Sequence, residues 1–267
     1  MSDSYVKRAL QAVKVSSIPG ITPWRVGNSA GDGGYIVAKE LMLPCALHKA
    51  NMFSFGVGNE TSFELFMAPF FRHVWMFDIC SCELEKKTPN MYFSQSPFSE
   101  DVFKKFPAPA SSMLKIDVEG AEWDVLERII EDGFLDSFSQ IVGEFHFFSV
   151  NYSDTGHSPY FAEVHRDFYR QVNEKLFHQY YRVLCALHRE FFCYHIHANN
   201  SLPYSRVNGF QFPPLVELSF VRKSEVCSKG VTDSLKYYPI MDMDVPNKSD
   251  RPDFRDVYPL YKEEAIC

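Results

Sequence analysis

The sequence predicts an α/β domain built on a mainly parallel sheet of about seven strands with helices on both faces. Three observations predict it. Apolar runs of strand length alternate with helical-period stretches along most of the chain. A glycine turn, Phe55-Gly56-Val57-Gly58, closes one strand, and Asp78 closes the next about twenty residues on. Further along, an otherwise apolar strand runs into Asp117 and Glu119 before Gly120 opens a helix.

The elements follow in order. Residues 4–14 alternate charged and apolar positions at helical spacing and predict an N-terminal helix. Gly31-Asp32-Gly33-Gly34 is a turn leading into a short strand, Tyr35–Ala38. Met52–Val57 reads as a buried strand. Thr61 or Ser62 is placed to cap the helix behind it, which carries Phe63, Phe66 and Met67 on one side. Val74–Phe77, Met91–Ser94, Met113–Val118 and Gln140–Phe147 are further strands, with a helix over Ala121–Ile130. A long helical region covers 160–187, where Phe161, Phe168, Leu176 and Phe177 form a core stripe. Phe191–His197 and Leu215–Val221 are the last strands. The expected division is one domain over 1–230 and a polar, proline-punctuated extension over 231–267, packed on the domain or partly disordered.

Composition narrows the function. With 46% hydrophobic residues, 25 Phe and 14 Tyr, the chain can bury a large core. A net charge of −7 without a Lys/Arg block argues against a general grip on nucleic acid, so none is expected as a partner. Seven irregularly spaced cysteines, among them Cys80 and Cys82, suit reduced thiols rather than a disulfide framework or zinc ribbon. Neither a leader pattern nor a run of about 20 apolar residues is present, so the expectation is a cytoplasmic protein without a membrane span.

Ligands of such sheets bind beyond the carboxyl ends of the strands. Gly56 and Gly58 let a ligand approach the backbone, and the following helix offers free N–H groups. Asp78 is placed to accept both hydroxyls of a ribose. Asp117 and Glu119, two apart, are expected to share a strand face, as are Glu144 and His146, and His195 and His197. Burying such groups without a role is costly. The bland readings are a helix cap for one acid of the first pair and a self-satisfied Glu144–His146 pair. Asn199 and Asn200 follow His197 directly.

Lys115-Ile116-Asp117-Val118-Glu119-Gly120-Ala121-Glu122 resembles the Ile-Asp-Val-Glu-Gly-x-Glu motif of FkbM-like and related methyltransferase-like proteins. Gly31-Asp32-Gly33-Gly34-Tyr35, Phe55–Gly58, Asp78, Glu144-Phe145-His146, His195–Asn200 and Val216-Glu217-Leu218 resemble the same superfamily in the same order, over about residues 31–222. The resemblance implies a class I (Rossmann-like) fold dependent on S-adenosylmethionine (SAM). It also implies O-methylation of a hydroxyl, often on a sugar or glycan. It places the cofactor on Gly33, Gly34, Phe55, Gly56, Val57, Gly58, Asp78 and Asp117. The glycine turn is leaner than in many methyltransferases, since Asn59-Glu60 follows Gly58.

The chemistry expected is in-line methyl transfer, with proton removal by a histidine base or by a divalent metal. Asp117, Glu144, His146 and His197 are the catalytic candidates. Asp117, Glu144 and His146 are the candidate ligands of Mg or Mn, with Zn harder to exclude. The acceptor is expected to be a small molecule or glycan. The rivals are a protein or RNA methyltransferase and a non-catalytic SAM-fold interaction protein. A nucleotide dehydrogenase is distant, because position 61 is Thr where Gly-x-Gly-x-x-Gly needs glycine.

Overall fold

The computed structural model of the protein describes residues 5–42, 49–80, 86–98, 101–147, 174–207, 209–234, 238–241, 243–255, 257, 260 and 262–263. Chain order begins with α1 (Tyr5–Ala12), β1 (Ser16–Ser17), β2 (Pro23–Gly27), β3 (Gly34–Ala38), β4 (Asn51–Phe55) and α2 (Ser62–Met67). Next come β5 (His73–Asp78), β6 (Met91–Gln95), α3 (Val102–Lys105), β7 (Ser112–Ile116), α4 (Glu122–Glu131) and β8 (Phe138–His146). The last are α5 (Glu174–Glu190), β9 (Phe191–Ala198), β10 (Ser205–Val207), β11 (Phe210–Phe212), β12 (Leu215–Arg222), β13 (Thr232–Asp233) and β14 (Lys262–Glu263).

Seven strands form the central sheet in the order β6-β5-β4-β7-β8-β12-β9. β4 through β8 pair in parallel, and β12 runs antiparallel to both β8 and β9. Numbered along the chain, the order is 3-2-1-4-5-7-6 with the last strand reversed, which is the class I SAM-dependent methyltransferase fold. Strands β4, β7, β8 and β12 are buried at every position, because both faces of the sheet are covered. The edge strand β6 alternates buried Met91 with exposed Tyr92.

One face packs Phe53, Phe55, Leu114 and Ile116 against Trp123, Leu126 and Ile129 of α4. The other packs Met52, Met76 and Met113 against Phe63 and Met67 of α2. Each fully buried side chain of this size stabilises by roughly 1.5–3 kcal/mol, so the faces fix which strand ends converge. β4 is where the order reverses, and the carboxyl ends of β4 and β7 are where sheets of this kind bind ligands.

The structure differs from the sequence reading in several places. The strand at Tyr35 has a partner the sequence did not announce. β2 pairs with β3 as a separate antiparallel hairpin, and Pro23 at its start obscured the alternation. Thr61 occupies the cap position of α2 but its side chain caps nothing; Glu60 accepts the Ser62 N–H at 2.8 Å instead. Phe66 is 41% exposed and packs edge-on against Trp24 rather than joining the core. Asp117 and Glu119 lie beyond β7, in a turn where Glu119 adopts φ +55, so they do not share a strand face. Residues 160–173 of the expected long helix, with Phe161 and Phe168, lie outside the described residues; Phe177 on α5 is buried. Of the extension, β13 pairs with β1, and Ser234, Tyr238 and Asn247 are buried. No helix among the described residues is long and apolar enough to cross a membrane.

Candidate active site

The glycine turn at the end of β4 is shaped by one close crossing. Gly56 has φ +75, and a Cβ there would lie 1.5 Å from the Asp117 carbonyl oxygen. Its N–H donates to the Phe77 carbonyl at 2.9 Å, while the Asp117 N–H donates to the Phe55 carbonyl at 2.9 Å. The turn is thereby held against the ends of both neighbouring strands. Gly58 is the opposite case: φ is +59 and nothing lies within 4 Å of its missing Cβ. Asp78 faces this opening, where its carboxylate accepts the Gly58 N–H at 2.9 Å and the Cys80 N–H at 2.7 Å.

The β2–β3 hairpin tip closes one side. A Cβ on Gly33 would meet the Glu60 carboxylate at 2.4 Å, so the tip rests on the residue just after the glycine turn. Gly33, Gly56, Gly58, Asp78 and Asp117 are thus brought together. Gly34 is not open to a ligand: it sits against the Asn28 carbonyl and the Arg25 guanidinium. Phe55 and Val57 turn their side chains into the core. Phe55 stacks on Phe77 at 4.9 Å in the core, its carbonyl is taken by Asp117, and Val57 is buried in the opposite face.

Asp117 stands at the mouth, with its side chain 23% exposed and Lys115 Nζ at 3.9 Å. The Tyr35 hydroxyl donates to it at 2.8 Å. Burial pushes its carboxyl up to about 6, against the pull of Lys115 and His146. Lys115 also donates to the Gly56 carbonyl, tying the acid to the turn. Tyr35 and Lys115 were quoted within the motifs without being given a role; their side chains reach the site only because the hairpin folds over the sheet.

Glu122 was missed as well. It is fully buried at the start of α4, where its carboxylate accepts the Val118 N–H at 2.8 Å and the Gly120 N–H at 3.1 Å. It also lies 3.0 Å from His146 Nδ1. The same histidine has Nε2 3.4 Å from Glu119 and 3.5 Å from Glu144. Burial opposes its charge, but the carboxylates of Glu122, Glu119 and Glu144 outweigh burial and raise its pKa well above the ordinary value. His146 therefore sits between acids that favour its charged form. Both of its ring nitrogens face carboxylates, and its donor atoms group with those of Asp117 and Glu122.

The expected metal trio is not assembled. Among the described residues, donor atoms of Asp117, Glu122 and His146 lie within 4.8 Å of one another, while Glu144 groups instead with Asp32 and Glu217. Register explains this, because Glu144 on β8 lies directly opposite Glu217 on β12. Burial first, then Asp117, push the Glu144 carboxyl well above its usual range, and Asn199 donates to it at 2.8 Å.

His197 lies one strand further on. It is fully buried, with Nδ1 3.2 Å from Glu217 and Nε2 3.1 Å from Asp253. Burial works against its charge, yet Glu217 and Asp253 raise its pKa to about 10. Both nitrogens are engaged, so it can neither take a proton near neutrality nor hold an acceptor. His195 pairs at 2.9 Å with Asp244, and Asn200 holds the backbone at Lys248 and Arg251. The His195–Asn200 strand end thus binds the C-terminal segment.

No protein-family model and no curated protein matches the chain. Solved structures with a similar sheet include an rRNA methylase from Streptococcus thermophilus, 10% identical, covering 68% of this chain and 92% of that one at a TM-score of 0.35. A candidate methyltransferase from Streptococcus mutans in complex with SAH is 8% identical, covering 68% and 93% at 0.33. The 23S rRNA methyltransferase ErmE is 10% identical, covering 72% and 71% at 0.35. The class of the fold rests on the strand order itself.

Proposed function

We propose that the protein is a SAM-dependent O-methyltransferase acting on a hydroxyl of a sugar or glycan, as the FkbM-like resemblance implies. The observation that carries the cofactor is the open space at Gly58, whose N–H is bonded to the Asp78 carboxylate at the switch point of a class I sheet. When bound, SAM supplies a methyl group on a positively charged sulfur. Asp78 is placed to accept ribose hydroxyls, and the bare backbone at Gly58 admits the ligand closely.

Asp117 replaces His146 as the group that takes the acceptor's proton. Its carboxyl titrates at about 6, so it is ionised at neutral pH. Tyr35 and Lys115 hold it in place. The carboxylates of Asp32 and Asp117 can accept hydrogen bonds from hydroxyls and repel phosphates, which favours a polyol over RNA.

The test is calorimetric titration with SAM, followed by labelled-methyl transfer to a panel of glycans, proteins and rRNA. Methylated glycan, lost in Asp117→Asn with SAM affinity kept, supports the reading. Absence of SAM binding removes the enzyme, and transfer to rRNA alone removes the acceptor class.

A further inference from the structure

The β2–β3 hairpin is anchored unevenly. At its base the Ala38 N–H donates to the Gln140 side chain of β8 at 2.8 Å, and Ser219 of β12 donates to the Ile36 carbonyl at 2.7 Å. Both bonds are buried, and so is every residue of β3. Trp24 and Tyr35 pack edge-on against Phe66 and Phe63 of α2. The tip, residues 28–33, is bonded mainly within its own hairpin. The Asn28 side chain donates to the Asp32 carbonyl at 2.7 Å and accepts the Ala30 N–H at 2.9 Å. Arg25 donates to the Asn28 and Gly31 carbonyls at 3.2 and 2.8 Å. The tip is therefore a preformed unit with Ser29, Ala30 and Asp32 exposed. Gly27 and Gly33 bound it at φ +94 and +87, so both ends can absorb a change of backbone angle.

Beyond the hairpin the tip meets two residues. Gly33 lies against the Glu60 carboxylate, just past Gly58, and Asp32 accepts a hydrogen bond from Asn247 Nδ2 at 3.3 Å. Among the described residues this is the one hydrogen bond from the tip to the rest of the domain. Asn247 is a fixed post. It is buried, and the same Nδ2 donates to Glu217 of β12 at 2.9 Å. Its segment is pinned on either side, by Asp244 on His195 at 2.9 Å and by the Lys248 N–H on the Asn200 side chain at 2.8 Å. Of the two Asn247 bonds, the one to the tip is the longer and yields first.

We infer that the tip, residues 28–33, is a lid beside the cofactor opening, hinged at its glycines and latched shut by Asn247 of the C-terminal segment. The inference rests on the reading of Gly58 and Asp78 as the SAM site. SAM enters and leaves when the Asn247–Asp32 bond breaks and Gly33 lifts from Glu60. The latch holds the tip with or without cofactor, so it sets how fast SAM exchanges and cancels from its affinity. The C-terminal segment thereby controls access to a site built by other elements.

The test is exchange of radiolabelled SAM on the full chain. Rapid mixing gives association, a chase with unlabelled SAM gives release, and calorimetry gives affinity. Asn247→Ala and Asp32→Ala cut the latch from its two sides, and Asp32 is exposed, so its loss spares the core. Each should speed both association and release by about 3- to 10-fold, the worth of one ordinary hydrogen bond, with affinity kept within about twofold. Unchanged rates in both variants overturn the lid and leave the cofactor reading standing. Weakened affinity with association unchanged does the same, because it marks an ordinary binding contact. Absence of SAM binding in wild type overturns the lid and the cofactor reading together.

Discussion

Two alanine substitutions in one turn should separate architecture from ligand binding. In Gly56→Ala the new methyl would lie 1.5 Å from the Asp117 carbonyl oxygen, about 2 Å inside an ordinary contact. The obstacle is backbone, so no rotamer change relieves it, and β4 or the Asp117 turn must move. A destabilisation above about 4 kcal/mol is expected. In Gly58→Ala the methyl meets nothing within 4 Å, and only the left-handed φ of +59 is unfavourable. That costs about 1–2 kcal/mol, or roughly 2–8 °C in melting temperature for a chain of this size. The same methyl would project into the space where SAM is proposed to approach. Overpacking of about 1–3 kcal/mol corresponds to roughly 5- to 150-fold weaker binding. Thermal melting and calorimetric titration with SAM read both effects. A Gly58→Ala protein that binds SAM like wild type would refute the placement, and a Gly56→Ala protein of normal stability would refute the crossing.

Asp78→Ala should cost SAM roughly 1.5–3 kcal/mol of binding, the value of hydrogen bonds to a charged group, measured by calorimetry; unchanged affinity removes Asp78 from the site. Glu122→Ala leaves His146 with less counter-charge and two turn N–H groups without their acceptor, so urea unfolding should show a loss of about 3–5 kcal/mol. The His197 contribution should be alkaline-sensitive. Its pKa is raised in the fold to about 10, so its stabilisation is complete below the unfolded value of about 6.5 and declines until pH passes the folded one. Melting temperature should fall across that window in wild type, and by less in His197→Gln.

The sheet was legible because its evidence is local. Each central strand carries an apolar run that survives burial on both faces, as Phe53, Phe55, Leu114 and Ile116 show. The turn at Gly56 and Gly58 and the acid Asp78 were legible as strand ends, and the structure ties them together through the Gly58 N–H bonded to Asp78. The hairpin partner at Pro23–Gly27 was not, since its pairing depends on β3 rather than on its own pattern. The turn after β7 was misread for a related reason. Strand-like alternation of Asp117 and Glu119 continues in sequence, but the Asp117 backbone is captured by β4 and the Glu122 carboxylate folds the chain back onto itself.

The histidines show why charged residues at strand ends resist assignment by spacing. His195 and His197 alternate as site residues would, yet their partners, Asp244 and Asp253, lie far along the chain in the C-terminal segment. A buried imidazole becomes catalytic only if one nitrogen remains available and its pKa stays near working pH. Carboxylates face both nitrogens of His146 and of His197, and in each case they favour the charged imidazole. The acids divide by the same criterion. Glu122 is spent on N–H groups and an imidazolium, and Asp253 on His197. Asp117 keeps an exposed face and titrates at about 6. Spacing alone could not separate these two kinds of acid, because the groups that engage Glu122 and Asp253 come from other elements.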